Sequence, residues 1–266
     1  MRIVGLGHGL VAIASASLAI LCLRYGAFAA DQPLPAWIPW QESWLYGSAL
    51  LVLGASAGLC FSRTALPSAL TIGAYQVAWA VLSVPPILSQ PLSVGAWYGV
   101  CEALTSLAGT WILYALLRWQ SQGSKLPLAV ERALRLAQVL FGLTCIFYGW
   151  SHFAYADYTA SMVPAWLPAP LGFAYFTGIG HIAAGVGICV GILPRLAATL
   201  EAIMMSAFGL LVWVPSFFAH PRPDWATPPQ NQWSELVVNL VLVASACMVA
   251  ASLRNFSWGY ASRSRV

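Results

Sequence analysis

The sequence predicts an all-α membrane protein with eight transmembrane helices, arranged as two tandem four-helix bundles in parallel orientation. Composition is the first reason: 60% of the 266 residues are hydrophobic and only 8% are charged, against about 25% charged in a soluble domain. Length is the second reason, because the apolar runs reach the roughly 20 residues that a helix needs to cross a bilayer. The third is a repeat that relates the two halves of the chain.

Eight apolar segments follow one another, separated by short polar or proline-rich joints where the backbone leaves the lipid and can be hydrated. Hydrophobicity is continuous within each segment, whereas it alternates along the strands of a membrane barrel. The predicted segments are Ile3–Arg24, Trp44–Phe61, Leu66–Val84, Ala96–Leu117, Ala133–Phe153, Leu171–Gly191, Ala197–Val214 and Trp233–Leu253.

The first segment has a second interpretation. Arg2, the apolar run and the sequence Ala27-Phe28-Ala29 together resemble a secretory signal with its cleavage site. Against this, the run is long for a signal, and Arg24 lies close before the proposed cut. We expect a retained helix, because this segment has a counterpart in the second half. Cleavage would leave the orientation of the later helices unchanged.

Orientation follows from the placement of lysine and arginine, which concentrate in cytoplasmic joints. With a cytoplasmic N-terminus, ten of the twelve basic residues fall inside, and only Arg24 and Arg222 fall outside. We therefore predict a protein of the bacterial cytoplasmic membrane with both termini in the cytoplasm. This placement accounts for the net charge of +4, and no nucleic-acid partner is predicted. The inner basic residues are Arg2, Arg63, Arg118, Lys125, Arg132, Arg135, Arg195, Arg254, Arg263 and Arg265.

Several motifs recur in the same order in both halves, as expected of a tandem repeat. The sequence PAWIP at 35–39 returns as PAWLP at 164–168, 129 residues later, and Gly58-Leu59-Cys60 returns as Gly187-Ile188-Cys189 at the same offset. Trp97 and Trp233 open the last helix of each half. Four crossings per half give both halves the same orientation, related by an axis along the membrane normal.

The repeat defines the predicted domain boundaries. Residues 1–118 form the first four-helix repeat and residues 131–256 the second. The joint 119–130 is the most polar on the inner side and is predicted to be a cytoplasmic linker, followed at the far end by a cytoplasmic tail at 257–266.

Polar groups inside the membrane are the candidates for chemistry, because burying them in lipid is costly. We predict an outer-leaflet pocket in the second half, formed by His152, His181, Glu235 and Asn239. A histidine and a carboxylate at this level can exchange protons with a quinol hydroxyl. An alternative is that these groups satisfy one another and tie the bundle together. Tryptophans predicted for the pocket walls are Trp150, Trp166 and Trp233.

A metal or haem site is not predicted. At 1.5 Å per residue, His181 would lie on the order of 15 Å below the outer helix end, while His152 would lie close to that end. Two ligands of one metal must share a depth. Glu201 is expected to pair with an inner arginine or with another polar neighbour.

The second half resembles DoxX-like membrane proteins over about residues 135–254, and residues 1–118 resemble them more faintly. The motifs are YGWSHF at 148–153, MVPAWLP at 162–168, YFTG at 175–178 and PRLAA at 194–198. The resemblance implies a four-helix membrane bundle, and it implies quinone-linked chemistry, because some members are linked to quinone-dependent oxidation of sulfur compounds or to membrane oxidoreductase complexes. Members often carry an acidic residue where this chain has His181.

The leading functional hypothesis is therefore a quinone-interacting subunit of a membrane oxidoreductase assembly, in contact with the bilayer and with redox partner subunits. Quinone is the only cofactor that it implies. One alternative is a carrier for a small or lipophilic solute, suggested by the parallel repeat and His181. Another is a structural or assembly subunit without chemistry. The sequence leaves open whether the protein is an enzyme.

Overall fold

The computed structural model describes residues 6–29, 32, 34–120, 127–221, 223–226 and 228–254. Within these ranges the chain is helical, and no β-strand occurs. The cytoplasmic tail predicted at 257–266 and half of the linker predicted at 119–130, residues 121–126, lie outside the described residues. So do five of the basic residues used for orientation: Arg2, Lys125, Arg222, Arg263 and Arg265.

Eleven α-helices are described, and most of their boundaries fall close to the predicted joints. The helices are α1 Leu6–Tyr25, α2 Gln41–Leu59, α3 Ala65–Leu82, α4 Val84–Ser89, α5 Val94–Gln120, α6 Leu128–Ala154, α7 Ala156–Met162, α8 Pro170–Val190, α9 Pro194–Phe208, α10 Val214–Ser216 and α11 Pro229–Ser252. A π-helical stretch, Gly209–Trp213, joins α9 to α10, and a 3₁₀ turn, Asp224–Ala226, precedes α11.

Seven of the described helical segments are long and apolar enough to cross a membrane, which indicates an integral α-helical membrane protein. The seven segments are Leu6–Tyr25, Ala65–Ser89, Val94–Trp119, Leu128–Ala154, Pro170–Val190, Pro194–Ser216 and Pro229–Ser252. Helix α2 occupies the remaining predicted segment. It begins with the polar residues Gln41 and Glu42, which make it less apolar than the seven.

The helices pack in the order of the chain within each half. Helix α1 packs on α2, α2 on α3 and α3 on α5, while α6 packs on α8, α8 on α9 and α9 on α11. The halves meet where α1 contacts α11 and where α5 contacts α6 and α11. The main hydrophobic core lies at this junction and contains the buried residues Ile112, Leu113, Phe141, Met248 and Val249.

Glycines bring α6 and α8 into close contact. Gly142 lies against the carbonyl of Gly185, and Gly149 lies against the carbonyl of Gly178, so a Cβ at either α6 position would collide with α8. Such close approach is a common way to hold helices together in lipid. At the C-terminal end of α8, Arg135 donates to the Ile188 carbonyl at 2.8 Å and also to the Cys189 carbonyl. Helices α6 and α8 are therefore held in a fixed position relative to each other.

Candidate functional site: a cavity in the second half

A cavity of about 1600 Å³ is lined mostly by residues of the second half of the molecule. Helices α6, α8, α9 and α11 form most of its wall, while α5 and α7 contribute at one end. Most of the lining side chains are apolar, as in typical sites for small organic ligands. The ionisable or amide side chains in the wall, tyrosines aside, are Glu102, His152, His181, Glu201, Glu235 and Asn239.

A buried pair of ionisable groups joins α8 to α9 in the cavity wall. His181 Nδ1 lies 2.7 Å from Glu201 Oε1, and the two residues are 1% and 2% exposed. An imidazole that faces a carboxylate through Nδ1 donates from that nitrogen, and the carboxylate then fixes the ring orientation. The other carboxylate oxygen of Glu201, Oε2, is buried and has no hydrogen-bond partner among the described residues.

His152 lies next to this pair. Its Nδ1 is 2.9 Å from Thr177 Oγ1 and 3.3 Å from the Ala174 carbonyl. The Thr177 hydroxyl itself donates to backbone carbonyls, at 2.9 Å for Phe173, so Nδ1 of His152 is the donor in its contact with the threonine. The His152 and His181 rings meet edge to face with their centroids 5.1 Å apart. Both imidazoles therefore have Nδ1 engaged by protein atoms.

The contact between the two histidines corrects the predicted difference in their depth. Gly178, one turn before His181, packs against the His152 Cβ. Because α8 begins at Pro170, its first two turns extend beyond the level of His152, by about 12 Å at 1.5 Å per residue. His152 is thus near the end of α6 but not at the end of the bundle. Even so, the described residues include no group of three or more histidine, cysteine or acidic side chains arranged to hold a metal ion.

A local irregularity brings α9 and α11 together beside the histidines. Pro215 lacks the N–H that would bond to the Leu211 carbonyl, and the preceding residues Gly209–Trp213 adopt a π-helix. Gly209 lies against the Asn239 side chain: a Cβ there would be 2.8 Å from Oδ1. The buried Trp213, within the π-helix, lines the cavity. The distortion therefore gives Asn239 and Trp213 their positions.

One end of the cavity is covered by α7. Tyr158 of this helix and the exposed Glu235 at the start of α11 both line the cavity. Burial, and secondarily the Glu235 carboxylate, raise the pKa of the Tyr158 hydroxyl. The phenol therefore stays protonated at neutral pH and remains a hydrogen-bond donor.

The cavity also reaches the side of the bundle that faces outward between α8 and α9. Lining residues on both helices have large exposed fractions, so the cavity communicates with this surface. These residues are Phe176, Val186 and Val190 on α8, and Leu200 and Ile203 on α9. All are apolar, which suits a surface in contact with lipid.

The structure brings four of the predicted site residues together and leaves the three tryptophans apart. His152, His181, Glu235 and Asn239 line the same cavity. Trp150 and Trp166 are 59% and 70% exposed and are not among the lining residues. Trp150 precedes His152 by two residues, which places it on the opposite side of α6, and Trp166 lies in the joint before α8. Trp233, also expected in the wall, packs on Phe217 instead, with ring centroids 4.2 Å apart.

Several lining residues were not predicted from the sequence. The most informative is Glu201, which was expected to have a polar partner but was not placed in the site. The sequence could have predicted this placement. A carboxylate and a histidine inside apolar segments each need a polar partner, and each can serve as the partner of the other. Phe208 and Trp213 supply the aromatic wall, and Tyr148 and Glu102 complete the polar end.

Residues 141–250 match the model of one family, described as a domain of unknown function (DUF8561). The matched region contains His152, His181, Glu201, Glu235 and Asn239. No curated protein and no solved structure matches the chain.

Proposed function

We propose that the cavity binds a lipid-soluble quinone or quinol, and that the protein is a DoxX-like, quinone-interacting subunit of a membrane oxidoreductase assembly. The observation that carries this is the His181–Glu201 pair, buried at 2.7 Å in the wall of a large, mostly apolar cavity. Buried ionisable pairs inside a membrane segment are costly and are typical of functional sites.

The cavity has the three features that a quinone needs. The apolar opening between α8 and α9 gives a long isoprenoid tail a route to the lipid. Phe208 and Trp213 offer aromatic faces to a ring. For the ring oxygens, Asn239 offers an amide donor, and His152 and His181 each retain a second ring nitrogen beyond the engaged Nδ1.

We further propose eight membrane crossings, in two parallel four-helix repeats with both termini in the cytoplasm of a bacterial cell. The identical packing order of the two halves supports the duplication. So does the spacing of helix boundaries: α2 and α8 begin at 41 and 170, α3 and α9 begin at 65 and 194, and α1 and α6 end at 25 and 154. Each pair is 129 residues apart. Trp40 and Ala169, at the same spacing, both have left-handed backbones, with φ of 53° and 51°.

A carrier for a lipophilic solute is the second candidate. It is favoured by the length of the cavity, whose lining runs from Pro86 and Gly95 near the start of α5 to Leu193 and Leu196 around the start of α9. A site that reaches both ends of a bundle can be opened to either side by rocking of the two halves.

Quinone titration tests the leading candidate. The purified protein in mild detergent is titrated with a short-chain quinone, followed by quenching of tryptophan fluorescence, because Trp213 lines the cavity. We expect saturable binding that weakens about tenfold or more in His181→Ala. The matched control is His220→Ala, since His220 is exposed in a joint outside the cavity.

Absence of saturable quinone binding, together with no quinone co-purifying from membranes, would reject the quinone proposal. Uptake of a lipophilic solute into proteoliposomes would then favour the carrier. A structural subunit would instead show neither activity, and its deletion would remove a membrane complex that the His181→Ala variant leaves intact.

A further inference from the structure

The wall of the cavity carries acidic groups and no fixed cation. Among its described lining residues are Glu102, Glu201 and Glu235, whereas none is lysine or arginine. Arg195, which lies between the lining residues Leu193 and Leu196, is itself outside the lining and donates to the Arg254 carbonyl at 3.2 Å. Arg135 on α6 donates to the Ile188 carbonyl at the far end of α8. The electrostatic potential in the cavity is therefore negative wherever a carboxylate is ionised.

Glu201 is the focus of this field. His181 engages Oε1, while Oε2 is buried without a hydrogen-bond partner among the described residues. Only 2% of Glu201 is exposed, and the residue lines the cavity. An ionised oxygen in such surroundings is poorly screened, so a positive group reaching it is bound strongly.

The cavity wall also carries aromatic rings, of which that of Phe208 lies 5.9 Å, centroid to centroid, from the His181 ring. Tyr98, Phe173, Phe176, Phe208 and Trp213 all line the cavity. Aromatic faces attract organic cations, and more so where water is excluded. A small inorganic cation is a poor match, because it requires several oxygen ligands in one shell, and the described acidic and histidine side chains form no such group.

We propose that the cavity binds lipophilic organic cations, such as aromatic amines, quaternary ammonium ions or phosphonium ions, with the positive charge drawn towards Glu201. A quinone is neutral, so this ligand class goes beyond the proposed function. It requires the same cavity but does not require quinone binding. The opening between α8 and α9 admits such a molecule from the bilayer, where lipophilic cations partition.

Two ions of equal shape and opposite charge test this. The full-length protein in mild detergent is titrated with tetraphenylphosphonium and, separately, with tetraphenylborate, and protein-free micelles give the background for each. We expect the cation to bind at least roughly tenfold more tightly than the anion. Equal affinity, or a preference for the anion, would overturn the assignment, and this comparison needs no variant.

Two variants then locate the charge. Glu201→Gln keeps the shape of the side chain, and we expect it to weaken tetraphenylphosphonium binding by roughly tenfold. Asp157→Asn is the matched control, because Asp157 is an exposed acid on α7 outside the cavity lining, and its change leaves cation binding as in the wild type. Unchanged cation binding in a folded Glu201→Gln protein would refute the role of Glu201. If that variant does not fold, Glu235→Gln at the α7 end of the cavity replaces it, with a smaller loss expected.

A short-chain quinone is titrated in the same preparation of the wild type, which separates the two ligand classes. Quinone binding without cation binding would overturn the cation site and leave the proposed function standing. Cation binding without quinone binding would support the cation site and reject the proposed quinone function.

Discussion

The two halves of the molecule use the same helix order but fill their centres differently. At the 129-residue spacing, His181 corresponds to Val52, Glu201 to Ile72 and Phe208 to Trp79. Val52 and Ile72 are buried, at 2% and 0% exposure. Trp79 is also buried and packs edge to face on Phe28, with ring centroids 4.9 Å apart. The cavity beside Gln76, lined mostly by residues of the first half, has a volume of about 20 Å³, against about 1600 Å³ for the cavity lined mostly by the second.

This difference distinguishes the residues that maintain the helix arrangement from those of the candidate site. One half buries apolar side chains at the positions where the other buries an ionisable pair, and yet three helix boundaries of each half are 129 residues apart. Since hydrophobic groups at these positions are compatible with the fold, the His181–Glu201 pair is not required for the helix arrangement. A costly pair without a structural need is what we expect of the proposed ligand site.

The largest effect is expected when the second half's acid is placed in the first half. Ile72→Glu puts an unpaired carboxyl group at a fully buried position, next to apolar neighbours. We expect a loss of about 3–5 kcal/mol in stability, visible as a large drop in melting temperature in detergent. Ile72→Val, the control, should lose only about 1 kcal/mol. A well-folded Ile72→Glu protein would show that the first half can accept a site.

Truncating Trp79 in the first half and the corresponding Phe208 in the second should cost different amounts of stability, because the first half is packed at its centre and the second borders a cavity. Trp79→Ala removes a buried ring packed on Phe28 and is expected to cost about 3–5 kcal/mol. Phe208→Ala should cost clearly less, because Phe208 already borders the cavity and has fewer contacts to lose. The measurement is thermal unfolding of both variants side by side. Equal losses would contradict the filled-versus-hollow comparison.

Replacing His181 and Glu201 with the residues found at the corresponding first-half positions, Val52 and Ile72, tests whether the pair serves binding and not stability. His181→Ala alone leaves Glu201 buried without its partner and should destabilise the protein by about 3 kcal/mol. The double change His181→Val with Glu201→Ile should recover most of that loss, because an apolar pair replaces an ionisable one. The converted protein should no longer bind quinone. Recovery of stability with retained binding would place the site elsewhere.

The smallest effect is expected at the π-helix. Gly209→Ala adds a methyl group that would meet Asn239 Oδ1 at 2.8 Å, so the amide must shift. We expect a loss of about 1 kcal/mol in stability and a quinone affinity reduced a few fold. Gly54→Ala is the control in the first half, since a Cβ there meets nothing within 4 Å. Equal quinone affinity in the wild type and Gly209→Ala would remove Asn239 from the proposed site.

Much of the site was predictable, because its residue types are rare in lipid. His152, His181, Glu235 and Asn239 stood out as polar groups in or beside apolar segments, and they line one cavity. Their depths were less predictable. The depth estimate for His152 assumed that the last residue of α6 and the first residue of α8 lie at the same height in the membrane. The close contact of Gly149 with Gly178 instead places the start of α8 beyond His152. The aromatic wall was predicted with the wrong residues, Trp150, Trp166 and Trp233 instead of Phe208 and Trp213, because tryptophans occur along the whole chain.

The sequence by itself determined the helical, membrane-spanning class, the positions of the joints and the uneven distribution of polar residues between the halves. These properties depend on local composition and on the length of each apolar run. Only the tertiary structure decided that Glu201 completes the pair with His181, that Trp213 rather than Trp150 or Trp166 faces the cavity, and that the cavity opens between α8 and α9. Those outcomes depend on the relative height and rotation of neighbouring helices, which glycine contacts and the π-helix set and which periodicity within a single helix does not specify.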